Sequence, residues 1–359
     1  MPRVPGAQGQ RAVRAGREAG IDPICHTLVG AGLARSGLAR RTAFGTTTLL
    51  IGANLPDVDV LAYFWGPAAD LAFRRGWTHG VLALALWPFV LTGTMVLVDR
   101  GLRAVRRASL PSGLVPGQLL LLSTVAILSH PLLDTLNTYG MRWLMPFNGR
   151  WFYGDTLFIV DPWLWLALGM GVLLSRPRQG TTWPARLALW LSFGYVAVMA
   201  ASALAARRTA GREIAALTGE PVRRLMVSPL PVNPFRRSVV VEQGKVYRIA
   251  PFRWLEDRPV NPDSVRIFPR GRPDHPAARA AAATILGRRF LGWARFPAFQ
   301  VEPAGGDDFV VHIVDLRYAD RPGVRFGAVS VPVTIPPAAG PSRDSLPPSS
   351  PAAAAAPAP

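Results

Sequence analysis

The chain has 359 residues, with 40 Lys and Arg against 22 Asp and Glu, a formal net charge of +18, 50% hydrophobic residues, only 17% charged residues and a mean hydropathy of +0.22. These values exclude a disordered chain, argue against an ordinary soluble enzyme and point to a polytopic membrane protein. The single cysteine, Cys25, excludes an internal disulfide framework and a Cys-based zinc module.

Residues 1–21 carry Arg3, Arg11, Arg14 and Arg17 among Gly, Ala and Pro, with no apolar core. That pattern predicts a disordered basic tail rather than a cleavable signal peptide. The segment 24–34 has the length of a half-crossing or interfacial helix. The run 46–65 is apolar but interrupted by Asn54, Pro56, Asp57 and Asp59. The runs 78–98, 118–136, 157–175 and 185–206 are long enough, or nearly so, to cross a hydrocarbon core of about 30 Å. The expectation is an α-helical polytopic membrane domain over residues 22–208, with about five membrane-crossing helices.

A small soluble α+β domain is expected over 209–335. Residues 239–242 and 245–249 flank Gln243-Gly244, a plausible hairpin turn. The segments 309–318 and 326–335 read as strands, and 277–293 reads as a helix. Residues 336–359 are Pro, Ala and Ser, which predicts a disordered tail. The arginines lie dispersed between apolar runs, so membrane orientation explains the charge better than nucleic acid does.

An ionisable group in a membrane helix costs about 2.5–3.5 kcal/mol on insertion scales, so it needs a reason. Here such groups recur at the ends of successive apolar runs: His26, then Asp57 and Asp59, then His79, then His130 and Asp134, then Asp155 and Asp161. Histidine nitrogen and carboxylate oxygen together suit a borderline divalent cation. His130 and Asp134 are four apart and share a helix face, with Pro131 suited to a first helical position just after His130. Asp57 and Asp59 diverge on a regular helix, but a break at Pro56 lets both turn to one site. If the runs 46–65, 78–98, 118–136 and 157–175 each cross once, the ends from Asp57 to Asp161 lie toward one face, and His26 joins them if 24–34 dips inward from that face. Asp155 and Asp161 also suit a helix start, Asp161 as an N-cap before Pro162. Cys25 reads as a small buried hydrophobe, and His275 and His312 as ordinary residues of the C-terminal domain.

In their order, these strings resemble a known family. They are His26-Thr27, Pro56-Asp57-Val58-Asp59, Arg75-Gly76-Trp77-Thr78-His79, His130 to Asp134 with Asn137, Tyr139 and Gly140, Trp151-Phe152-Tyr153-Gly154-Asp155, and Asp161-Pro162. The chain over 22–162 resembles the YdjM-type membrane-bound, metal-dependent hydrolases of bacteria, some of them regulated by LexA. One departure is Arg74, where members often carry a histidine.

The resemblance implies a multi-pass protein of the bacterial cytoplasmic (inner) membrane that hydrolyses its substrate with a metal-activated water. On that reading His26, Asp57, Asp59, His79, His130 and Asp134 hold one or two divalent ions of zinc, manganese or iron. Asp155 or Asp161 adds a ligand or orients a histidine, and Asp59 accepts the water's proton. The absence of a Gly-x-Ser-x-Gly string favours water over a covalent intermediate. Membrane lipid is the expected partner, with a phospholipid or lipid-linked phosphate as substrate. Arg74, Arg75, Arg142 and Arg150 are candidates to hold a phosphate or to anchor the bilayer. The alternatives are an intramembrane metal or proton transporter, or a non-catalytic membrane scaffold with a structural metal.

Overall fold

The structure, a computed structural model, describes residues 22–106, 113–318 and 326–335. The tails expected at 1–21 and 336–359 lie outside the described residues.

Prolines start most helices of the N-terminal half, since the first turn has no use for the N–H that proline lacks. Pro23 opens α1 (Pro23–Arg35), which Asp22 caps by accepting from the Cys25 amide at 2.9 Å. The helix α2 (Gly45–Asn54) gives way at Leu55 and Pro56 to a 3-10 stretch, Leu55–Trp65. Then come α3 (Pro67–Phe73), α4 (Val81–Arg106), α5 (Pro116–Thr135), α6 (Pro162–Leu174) and α7 (Trp183–Thr218).

Among the described residues three helical spans are long and apolar enough to cross a membrane: Val81–Val105, Pro116–Thr135 and Trp183–Thr218. Two of the five expected crossings fall short of that length, for local reasons. The run 157–175 starts its helix only at Pro162, after Asp161 has capped it, and the 13 residues of α6 reach about 20 Å. The run 46–65 is divided at Asn54 into α2 and the 3-10 stretch. Pro131 does not open a helix: α5 runs through it, and the missing N–H releases the Ile127 carbonyl.

The helix α2 packs against both α1 and α5, and α6 packs against α1 and α7. At Gly30 a Cβ would lie 2.7 Å from the Leu49 carbonyl oxygen, so only glycine lets α1 approach α2 this closely. That contact sets where His26 stands.

The C-terminal half is α+β, as expected. One antiparallel sheet runs β1 (Arg224–Pro229), β2 (Arg236–Gln243), β3 (Val246–Arg253) and β4 (Arg266–Pro269) in that order. Gln243 pairs with Val246, so the β2–β3 turn is Gly244-Lys245, one residue later than predicted, with Gly244 at φ +56°. The helix expected over 277–293 is two, α8 (Pro276–Ala283) and α9 (Ile285–Trp293), broken where extended Thr284 caps α9. A second antiparallel sheet contains β5 (Pro297–Gly305), β6 (Asp308–Asp315) and β7 (Ala328–Thr334). The strand predicted over 309–318 ends at Asp315, where a 3-10 turn takes over. Strands β1, β4 and β5 and helix α3 were not foreseen.

The boundary expected at 208 falls inside α7. Helix α7 continues through it, and Ala206, Ala210 and Ile214 pack on Val227, Val239, Val241 and Phe252 of the first sheet. Gly30→Val should lower stability by about 1–3 kcal/mol through overpacking, read as a lowered unfolding temperature in detergent. Gly93→Val, whose added Cβ meets nothing within 4 Å, should change it little.

Candidate metal centre

His130 and Asp134 sit one turn apart near the end of α5, both almost wholly buried. The 3-10 stretch brings Asp57 and Asp59 to opposite edges of one imidazole, that of His79 in the turn before α4. Asp59 Oδ2 is 3.2 Å from His79 Nδ1, and Asp57 Oδ1 is 3.8 Å from His79 Nε2. The two carboxylates therefore meet the same ring rather than the same point.

The centre itself is made by Asp57, His79, His130 and Asp134, whose ligand atoms all lie within 4.8 Å of one another. His79 Nε2 and His130 Nε2 are 3.1 Å apart. Asp134 Oδ2 is 3.5 Å from the former and 3.4 Å from the latter, and Asp57 Oδ1 is 3.6 Å from His130 Nε2.

The hydrogen bonds behind the rings fix their tautomers. His130 Nδ1 is 2.8 Å from the Ala53 carbonyl oxygen, which can only accept, so Nδ1 carries the proton. The Thr78 hydroxyl donates to Asp59 Oδ2 at 3.1 Å, and His79 Nδ1–H faces that same carboxylate. Both Nε2 atoms thus present lone pairs to each other. Asp134 Oδ2 and both oxygens of Asp57 are buried without a hydrogen-bond partner. Four acceptors converge with no donor among them, and a cation is what satisfies such a set. The donor atoms of a tetrahedral zinc site stand about 3.3 Å apart, given bonds of about 2.0–2.2 Å, so the observed spacing fits. Two nitrogens and two carboxylates equally suit manganese or iron.

Arg75 holds this arrangement in place. Its amide donates to Asp59 at 2.7 Å, and its guanidinium reaches Asp134 Oδ1 at 2.9 Å and Asn137 Oδ1 at 2.9 Å. It also stands 4.9 Å over the Tyr139 ring. Arg74 lies 3.6 Å from Asp59. Arg142 donates to the Ala72 and Arg74 carbonyls at 2.8 Å and covers Trp151. These three arginines are bound into the wall, leaving only Arg150 of the four exposed.

His26 stands at the edge of the centre. Its ring stacks on His130 at 3.8 Å, and its Nε2 is 3.5 Å from Asp134 Oδ1. Its buried Nδ1 has no hydrogen-bond partner. Asp155 and Asp161 are engaged elsewhere. Asp155 takes a two-pronged bond from Arg295 at 2.7 and 2.8 Å. Asp161 caps α6 through the Trp163 and Leu164 amides and accepts from the Tyr195 hydroxyl at 3.0 Å. Cys25 packs in an apolar cluster with Leu157 and Leu164. His275 caps α8, and His312 pairs with Ser330 and Glu302.

The C-terminal half braces the loop behind the centre. Trp293 Nε1 donates to the Tyr139 carbonyl at 3.0 Å. Arg317, paired with Asp315 at 2.8 Å with both side chains fully buried, donates to the Thr138 carbonyl at 2.7 Å. Burial pushes the Tyr153 phenol up to about 12, against the pull of Arg317 and Arg295, so it stays neutral and donates to the Trp293 carbonyl. Local motifs held no sign of these braces, since each pairs residues far apart in sequence.

Residues 21–206, more than half of the chain, match the family described as YdjM inner membrane protein. The chain belongs to the YdjM inner membrane protein family. It is 34% identical over 182 residues to the inner membrane protein YbcI of Escherichia coli (strain K12), covering 44% of this chain and 94% of that protein. It is 21% identical over 284 residues to the uncharacterized protein YfhP of Bacillus subtilis (strain 168), covering 78% and 79% of the two. No solved structure matches it. The family match and the three apolar helices make this a membrane protein, and the matched region contains all four residues of the centre.

Asp59→Asn should weaken metal binding by about 10–100-fold, because Asp59 acts through the His79 ring. His130→Ala and Asp57→Ala should abolish it, and Asp161→Asn should leave it unchanged. Elemental analysis with chelator competition measures all four.

Proposed function

We propose that this YdjM-family protein is a membrane-bound, metal-dependent hydrolase of an amphipathic substrate, a phospholipid or lipid-linked phosphate. The observation that carries the reading is the approach of His79 Nε2 and His130 Nε2 to 3.1 Å beside Asp57 and Asp134 oxygens without hydrogen-bond partners. Asp57, His79, His130 and Asp134 would hold one divalent cation, with His26 adjacent. When bound, the cation would lower the pKa of a water and polarise a phosphoryl or acyl oxygen.

The remaining roles belong to the chain. Asp59 and Thr78 fix the His79 tautomer, and the Ala53 carbonyl fixes that of His130. Arg75 pins one oxygen of Asp134 and leaves the other to the centre. Asp57 is the least buried of the four, and with one oxygen on the cation its second oxygen, which accepts no hydrogen bond, would be left to take a proton from a substrate-side water. Asp59 is then a positioning residue, its oxygens turned toward Arg74, Arg75, Thr78 and His79.

The substrate class follows from the surface beside Asp57. The 3-10 stretch that carries it exposes Val58, Val60, Leu61, Phe64 and Trp65. Apolar side chains around a polar centre suit a ligand with an acyl chain and a polar head. A structural metal is the second reading, favoured by four protein donors and by the near-complete burial of three of them.

Metal removal separates the two. The hydrolase reading expects about one equivalent of bound metal and release of phosphate or headgroup from phospholipid in mixed micelles. Chelation should stop turnover while the fold persists by circular dichroism. Metal-loaded protein that releases nothing from such lipids, yet unfolds on chelation, would replace it with the structural reading.

A further inference from the structure

A cleft of about 650 Å³ lies between the Gly149–Tyr153 loop, α7, β1 and α9. Arg150, Arg207, Arg223, Arg224 and Arg295 line it. Two of the five are neutralised, Arg295 by Asp155 at 2.7 Å and Arg224 by Glu242 at 3.6 Å. Arg150, Arg207 and Arg223 have no carboxylate partner among the described residues. Three exposed guanidinium groups around one cleft repel each other, and an anion with several acceptor oxygens relieves that repulsion. Phosphate matches the guanidinium fork best.

The level of the cleft along α7 narrows the ligand. Residues 187–206 are twenty consecutive positions without a charge, and Arg207 follows directly. About twenty residues span the hydrocarbon core, and Arg237 and Trp254 of the C-terminal half already meet α7 at Met199 and Ser202, so Arg207 stands on the headgroup side of that core. A second groove of about 530 Å³ adjoins the cleft through the shared Arg207, Val222 and Leu225, and runs along α7 from Leu204 past Arg208 and Arg212 to Ala215. The two cavities together form a basic surface at the end of the apolar run, with Leu204 at its membrane edge, and such a surface suits the head of an anionic phospholipid.

We propose that this cleft is a phosphate site filled by the headgroup of an anionic phospholipid, separate from the metal centre. It rests on the membrane reading of α7 and not on the hydrolase reading. None of its arginines touches Asp57, His79, His130 or Asp134.

The test is lipid retention by the full chain in detergent, read by native mass spectrometry. The probes are phosphatidylglycerol, phosphatidylcholine and soluble glycerol 1-phosphate. Wild type should retain phosphatidylglycerol about tenfold over phosphatidylcholine. The variant Arg150→Gln/Arg207→Gln/Arg223→Gln should lose that preference while its metal content stays at the wild-type value. A charge-matched variant at exposed positions elsewhere, Arg236→Gln/Arg258→Gln/Arg279→Gln, should keep it. Equal phosphatidylglycerol retention by wild type and the cleft variant would overturn the site. Binding of glycerol 1-phosphate with no preference between the lipids would overturn the lipid and leave a soluble phosphoester as the ligand. Loss of retention in both variants would reduce the effect to net charge and overturn it as well.

Discussion

The buried guanidinium of Arg75 is the interaction on which the centre depends. Four acceptor atoms gathered out of water repel one another, and an isolated buried carboxylate is costly. Arg75 supplies a permanent positive charge to Asp134 through one oxygen only, so the other faces the histidines. The same residue gives its backbone amide to Asp59, and reaches both acids only by adopting φ +48°. At the next position, Gly76, a Cβ would lie 2.5 Å from the Arg142 guanidinium, which would have to shift to admit it. One short string, Arg75 to His79, therefore contributes the counter-charge, the close approach and a ring nitrogen.

A second buried ion pair ties that string to the rest of the molecule. Arg317 and Asp315 are fully enclosed, and Arg317 is stacked 4.4 Å from Trp293. Such a pair adds little net stability over an apolar pair of the same volume, but it fixes geometry through its remaining donors. Here those donors end on the Thr138 and Trp293 carbonyls. Asn137, one residue before Thr138, accepts from Arg75. The C-terminal sheets thus act on the centre through a chain of hydrogen bonds, without contributing a ligand atom to it.

How much of this was legible in the sequence depends on range. The spacing of His130 and Asp134, and the break after Asn54, are local signals, and both led to the observed centre. Asp155 and Asp161 carried the same local signal, yet their partners are Arg295, from the distant end of the fold, and the first turn of α6. A carboxylate beside an apolar run looks alike whether it awaits a cation, caps a helix or meets an arginine. Two of the five expected crossings lack a full-length apolar helix because hydropathy measures runs, whereas helices stop where caps and prolines place them. Residues 157–161 are apolar enough to extend α6, but Asp161 and Pro162 start it later. The helix over 277–293 broke because the Thr284 side chain recruits the Gly287 amide, an event that periodicity does not encode.

Burial and reactivity pull against each other at this centre, and the elements that carry the ligands decide which residue can yield. His130 and Asp134 sit on α5, whose interior packs on α2 and α4. His79 is held on both ring nitrogens' sides by Asp59, Thr78 and His130. Asp57 alone lies on the 3-10 stretch, whose eleven residues exceed the length at which that geometry is comfortable. Its neighbours Val58, Leu61 and Phe64 face outward rather than into a core, so moving this stretch breaks fewer packing contacts than moving α5 would. Of the four residues, Asp57 is therefore the one whose displacement disturbs the fewest packed neighbours.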